Sequence, residues 1–254
     1  RWLANASTAR ALSMLPRAAW RSNPPQSIIS FGDQVRYEWY GPDTSLRKLA
    51  SLYRDPLAQW LAAELDSAGL TKPGTCFLNL LWYDPTVPAQ PPPILPLLAH
   101  LENTGLVYSR SGWEPDATVT LVKCGPPGGH RAIQLADYDP GVGHADPDAA
   151  SIQIFAYGGW LLADAGYGWK NTACQNTALV NGIGQVGDLG PWLVGTEYHA
   201  RKLAPRIVRA EHHSDYDYIV ADATPAYRPE AKLSQFLRHI VCLRNGGWII
   251  ADRF

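Results

Sequence analysis

The apolar positions of this chain follow two periods, and the change of period divides it. Up to about Gly69 they recur at helical spacing. Asp43-Thr44-Ser45 precedes Leu46, Leu49, Leu52 and Tyr53, and Asp55-Pro56 precedes Leu57, Trp60, Leu61 and Leu65, with Gly69 as a stop. Short polar side chains that accept from free N–H groups, and a proline in the first turn, mark helix starts. Successive short helices are therefore expected. The opening residues Arg1-Trp2-Leu3-Ala4 read like a helix interior, which predicts a piece of a longer protein. Between Asp84 and Pro96 the prolines Pro85, Pro88, Pro91, Pro92, Pro93 and Pro96 cannot continue a helix and suit an extended crossing. The boundary is placed near residue 104, giving a helical domain over 1–104 and a second domain over 105–254.

Past that boundary the period becomes alternating. Short β-type runs occur at Leu106–Tyr108, Thr118–Val122, Ser151–Phe155, Trp160–Leu162, Tyr218–Val220, Ile240–Leu243 and Trp248–Ile250. Clusters of Gly, Pro, Asn and Asp separate them, which is the pattern of an antiparallel β-sandwich. The last run stops at Phe254 without a cap, so further sequence or another chain is expected to complete the sandwich.

Composition narrows the function. The 254 residues are 46% apolar with a formal charge of -1, acidic and basic residues being interspersed. That balance argues against a nucleic-acid groove or a membrane-binding face, and no apolar run approaches the ~20 residues of a transmembrane helix. An anionic partner must then be held locally. Cys76, Cys124, Cys174 and Cys242 form no CxxC pair and are read as buried free thiols. Ten Trp and twelve Tyr give many flat faces on which sugar rings stack, although core packing accounts for most such residues.

Candidate chemistry concentrates between Gly143 and Gln185. A hairpin formed by Ser151–Phe155 and Trp160–Leu162 about Gly158-Gly159 brings His144, before the first strand, toward Asp164, after the second. A third donor from the loop Cys174-Gln175-Asn176-Thr177 would make a tetrahedral or open zinc-type site. A structural His–Asp hydrogen bond is the alternative. Tyr167 adjoins the motif, with packing or hydrogen-bond anchoring as its other reading. Trp169 is a candidate sugar platform. His130 and Arg131 end the glycine-rich loop Gly125–Arg131, where they could meet an anionic sugar or lie in an ordinary exposed loop. His212-His213 reads as part of a solvated loop between strands.

In sequence order, GHADPDAASIQIFAYGGWLLADAGYG, QNTALVNGIGQ and FLRHIVCLRNGGWIIADRF resemble the sandwich domain of heparinase II/III-like proteins, which include lyases for alginate and heparin-type polymers. GLVYSRSGW and TLVKCGPPGG are similar to the strands leading into that domain. The resemblance runs from about Leu106 to the end. It implies an α+β multidomain fold, the C-terminal part of an (α/α) toroid followed by an antiparallel β-sandwich. It also implies a structural zinc held by a His of an HxD motif, an Asp ending the next strand and a His of an HNT motif. His144 and Asp164 match the first two, while Gln175, a poorer donor, stands at the third. A His at position 175 is expected to create or tighten the zinc site. The family's additional His, two residues before HxD, is Val142 here. Arg238 matches a position expected to serve structural hydrogen bonding.

The activity so implied is β-elimination at a uronic acid. A base removes the C5 proton, the carboxylate is neutralised, and an acid protonates the leaving oxygen. Most of that machinery is expected on toroid helices upstream, so this chain alone is expected to be inactive. Tyr167 and His144 are its catalytic candidates, and His130, Arg131 and Trp169 its substrate-binding ones. A uronyl C5 epimerase is the enzymatic alternative, and a non-catalytic carbohydrate-binding sandwich the other, favoured by Val142 and Gln175. The expected partners are an acidic polysaccharide and the remaining toroid segment or another chain of the same protein, with no nucleic acid and no membrane. The expected location is secreted or periplasmic.

Overall fold

The computed structural model describes residues 6–20, 26, 28–32, 42–71, 74, 76–91, 95–135, 143–190 and 194–254. Arg1–Ala4, Pro92, Pro93 and Val142 lie outside them. The chain divides into two compact units, one over Arg1–Ile29 and Val35–Pro96, the other over Ser30–Gln34 and Leu97–Phe254.

The first unit is helical: α1 (Ala6–Ser13), α2 (Arg17–Trp20), α3 (Pro42–Tyr53), α4 (Pro56–Ser67) and α5 (Cys76–Trp82). α4 begins as its sequence demands. Asp55 accepts from the N–H groups of Leu57 and Ala58 at 2.9 and 3.2 Å, and Pro56 occupies the first turn. At the other end Gly69 takes φ +71°, as expected of a residue just past a helix. Ala58, Leu61, Ala62 and Leu65 form the buried face of α4. In α3, Pro42 opens the helix, so Asp43-Thr44-Ser45 lie inside its first turn, and the buried Asp43 accepts from Asn79 of α5. Cys76 is exposed, contrary to its reading as a buried thiol.

The second unit contains two antiparallel sheets. One runs in the order β1 (Leu98–Leu101), β2 (Leu106–Arg110), β3 (Val119–Lys123), β4 (Ser151–Ala156), β5 (Gly159–Leu162). The other runs β6 (Arg206–His212), β7 (Tyr216–Asp222), β8 (Leu237–Leu243), β9 (Trp248–Arg253). A helix, α6 (Val194–Arg201), precedes β6. The inner faces share one core in which Val107, Val122, Ile152 and Ile154 meet Ile219, Ala221 and Ile240, with Phe236 fully buried at its margin. At roughly 25 cal/mol per Å2, that shared burial is the main stabilising force between the sheets.

Polar stitches join them as well. Trp248 donates to Thr120 Oγ1 at 2.9 Å, and Ser109 donates to the fully buried Asp217 at 2.6 Å. Asp217 also accepts from Arg244 and pairs with His212 Nδ1 at 2.7 Å. His212 is thus the end of β6 and part of a buried-carboxylate network, where the sequence reading placed a solvated loop. The β4–β5 turn also differs from expectation. Tyr157 and Gly158, at φ 55° and 78°, form it, and Gly159 already pairs with Ala156. Positive φ at both central residues is the hairpin turn that matches strand twist.

Candidate functional site

Hairpin topology gathers the candidate residues at one end of the five-stranded sheet. The register pairs Leu101 with Leu106, Leu106 with Lys123, Lys123 with Ser151 and Ile154 with Leu162. The turn after β1, the exit of β3, the entry to β4 and the exit of β5 therefore lie together. His130 and Arg131 leave from β3, His144 to Asp148 lead into β4, and Asp164 to Gln175 follow β5.

Buried charge fills this end. Asp146, Asp148 and Asp164 are each no more than 5% exposed. Lys123 Nζ reaches Asp148 Oδ2 at 2.6 Å, and its ammonium lies 5.2 Å from the Phe31 ring centre. Lys170 donates to the Gly143 carbonyl at 2.6 Å, with Asp146 Oδ1 3.9 Å from its Nζ. Burial pushes the Asp146 carboxyl up to about 7, the neighbouring Asp148 and Asp164 push the same way, and the two lysines oppose them. Asp148 is raised too, burial outweighing the pull of Lys123. Asp164 Oδ1 accepts from Gly166 N at 2.7 Å.

The loop carrying Gln175 is fixed to this end by several anchors. Asn176 donates to Ala163 O at 2.8 Å and Thr177 to Ala149 O at 2.7 Å. Arg238, paired twice with Asp252 at 2.8 and 2.7 Å, donates to the carbonyls of Ala150 and Asn176, the structural role expected of it. The buried Gln185 bonds both polar groups of the Ala149 backbone. So held, Gln175 donates from Nε2 to Trp169 O at 3.1 Å and, more weakly, to Asp146 Oδ2 at 3.4 Å.

Of the expected residues, Gln175 thus meets Asp146, and Asp164 lies near enough to Asp146 to act on its charge. His144 is exposed, and its ring lies 6.3 Å from that of Tyr167, tilted by 35°. Tyr167 and Trp169 are 55% and 57% exposed, leaving their faces open to solvent. The backbone of His130 and Arg131 is held by Asn103, which accepts from their N–H groups at 2.7 and 2.9 Å. His130 and the nearby His100 both have lowered pKa values, chiefly through burial, and Arg206 further opposes a charge on His130.

A zinc ion needs donors whose lone pairs converge on one point. Here Gln175 turns amide hydrogens toward Asp146, and an ammonium already faces that carboxylate. The arrangement does not fit a dication. Among the described residues no three His, Cys, Asp or Glu side chains form a group able to hold a metal ion. Asp146, Asp148, Lys123 and Lys170 escaped the sequence reading, although two acids in GHADPD just ahead of an apolar run were the available signal.

No family model matches the chain. Solved structures do. A structure of heparinase III aligns over 98% of this chain with a TM-score of 0.64 and 11% identity. The fold is heparinase-like. Heparan sulfate lyase HepC from Pedobacter heparinus aligns with this heparinase-like chain over 92% of its length, at a TM-score of 0.55 and 17% identity. The alignments cover 33% and 30% of those two proteins, so the chain spans about a third of their length.

Proposed function

We propose that this heparinase-like chain is part of a polysaccharide lyase that cleaves a uronic-acid-containing polymer by β-elimination. The supporting observation is the likeness to heparinase III over 98% of the chain. Its solvent-open candidates at one end of the five-stranded sheet are consistent with a polymer-facing edge. Tyr167 and His144 are the groups proposed to move protons, with their rings 6.3 Å apart. Trp169 is the stacking platform. Arg131 is the cation for a substrate carboxylate or sulfate, since burial disfavours a charge on His130.

The helical unit is read as the end of an (α/α) toroid whose missing part supplies the remaining base and carboxylate-neutralising groups. A polymer substrate of this size also favours a secreted or periplasmic location. The test is incubation of heparan sulfate, alginate and hyaluronan with this chain and with the full-length protein. Ultraviolet absorbance from an unsaturated uronate is expected with the full-length protein alone. Activity of the isolated chain would refute the division of labour. Binding by the full-length protein without absorbance would favour a carbohydrate-binding sandwich or an epimerase, and hydrogen exchange at C5 separates those two.

A further inference from the structure

We infer that lysine ammonium groups, rather than a metal ion, balance the carboxylates at this end of the sheet, with Lys170 as the cation facing Asp146. The inference goes beyond the lyase reading and does not depend on it.

Three observations carry it. Lys170 Nζ stands 3.9 Å from Asp146 Oδ1 while donating to the Gly143 carbonyl at 2.6 Å, so the backbone beside His144 fixes the ammonium in place. Among the described residues Asp146 Oδ1 is buried without a hydrogen-bond partner, leaving the charge of Lys170 to compensate it. Lys123 neutralises Asp148 separately through a contact of 2.6 Å in which both side chains are nearly fully buried. A buried carboxylate survives only if paired or protonated, and although burial still raises both acids, the chain's own cations are what favours their ionised form.

Gln175 completes the argument. Its Nε2 lies between two acceptors, Asp146 Oδ2 and Trp169 O. Turning the amide over would set its oxygen against both, so the partners dictate the orientation. Gln175 therefore presents N–H groups to Asp146 where a shared metal ion would need a lone pair. A dication placed there would meet the like charge of Lys170. Changing Gln175 alone does not remove that ammonium, which sets this inference apart from the zinc site expected from the sequence.

The experiment measures zinc by elemental analysis in the chain purified from zinc-supplemented medium, alongside thermal unfolding with and without chelator. Wild type is expected to hold less than about 0.1 zinc per chain and to keep its Tm when a chelator is added, since the site lacks a complete set of converging donors. Gln175→His is expected to stay zinc-free, and Gln175→His with Lys170→Met to take up about one zinc per chain. One zinc in wild type, a chelator-sensitive wild-type Tm, zinc uptake by the single variant, or a folded double variant without zinc would each overturn the inference. If the double variant fails to fold, zinc titration of wild type by calorimetry still decides it, since saturable one-to-one binding sinks the idea and its absence upholds it.

Discussion

Gln185 grips the backbone of Ala149 at both polar groups: its Oε1 accepts from Ala149 N at 2.8 Å and its Nε2 donates to Ala149 O at 2.9 Å. Ala149 lies between the acidic stretch and β4, so this side chain, with Thr177 on the same carbonyl and Arg238 on that of Ala150, fixes how Asp146 and Asp148 enter the sheet. Replacing Gln185 with Leu strands the buried Ala149 N–H, at roughly 1–3 kcal/mol, while Ala149 O keeps its bond from Thr177. Gln185→Leu is therefore expected to lose about 1–3 kcal/mol in urea unfolding. A loss below about 1 kcal/mol would show that the entry to β4 is held by other means.

The second expectation concerns the buried carboxylate between the sheets. Asp217 is fully buried and accepts from Ser109 and Arg244 while pairing with His212. Removing one member of a buried ion pair leaves the other uncompensated, at about 3–5 kcal/mol. Asp217→Ala should cost that much, while Asp217→Asn, which keeps an acceptor for Ser109, should cost less. Equal losses for the two variants would assign the effect to packing.

A third test uses pH. His100 and His130 have folded pKa values below the ordinary 6.5, mainly because burial disfavours the imidazolium. A depressed histidine contributes stability that is present above its unfolded pKa and is lost as pH falls through that value toward the folded one. Stability should therefore fall as pH drops below about 6.5, and less steeply in His130→Gln. The comparison is the difference between wild type and variant in urea midpoint across pH 5 to 8. A difference that does not change with pH contradicts the assignment.

For the exposed aromatic face, the readout is polymer recognition by the full-length protein. Trp169→Ala is expected to weaken heparan sulfate binding about tenfold, equivalent to ~1.4 kcal/mol, with the fold unchanged because the ring is 57% exposed. Tyr167→Phe keeps the ring and removes the phenolic O–H. It should leave binding intact and reduce turnover by about 100-fold if the phenol moves a proton. Turnover equal to wild type would confine Tyr167 to a packing role.

The strands easiest to read in the sequence were those with one clean buried face, such as β8, where buried and half-buried residues alternate without a break. β6 and β1 were missed for opposite reasons. β6 is an edge strand with four of its seven residues exposed and charges at Arg206, Arg209 and Glu211, and its register shifts between Ile207 and Arg209. β1 is four half-buried residues close behind the prolines. At the site, the β4–β5 hairpin could be derived from alternation and a glycine turn, because both are local. The lysines could not. Lys123 closes one strand and Asp148 precedes the next, and only the pairing of Lys123 with Ser151 brings them together. A lysine seen in sequence reads as solvated until the fold shows what surrounds it.

Both sheets join each strand to its neighbour in sequence, in the orders β1 to β5 and β6 to β9. Among the described strands each ladder thus joins sequence neighbours, most of them over short loops, while β3–β4 and β7–β8 close over longer connections. The distant partnerships are those between faces, such as Cys124 Sγ donating to the carbonyl of Asp222 at 3.3 Å, 98 residues along the chain. Loop-closure entropy falls on that step. Refolding is therefore expected to close the short hairpins first, with the β3–β4 pairing and the meeting of the two sheets as the later, slower events.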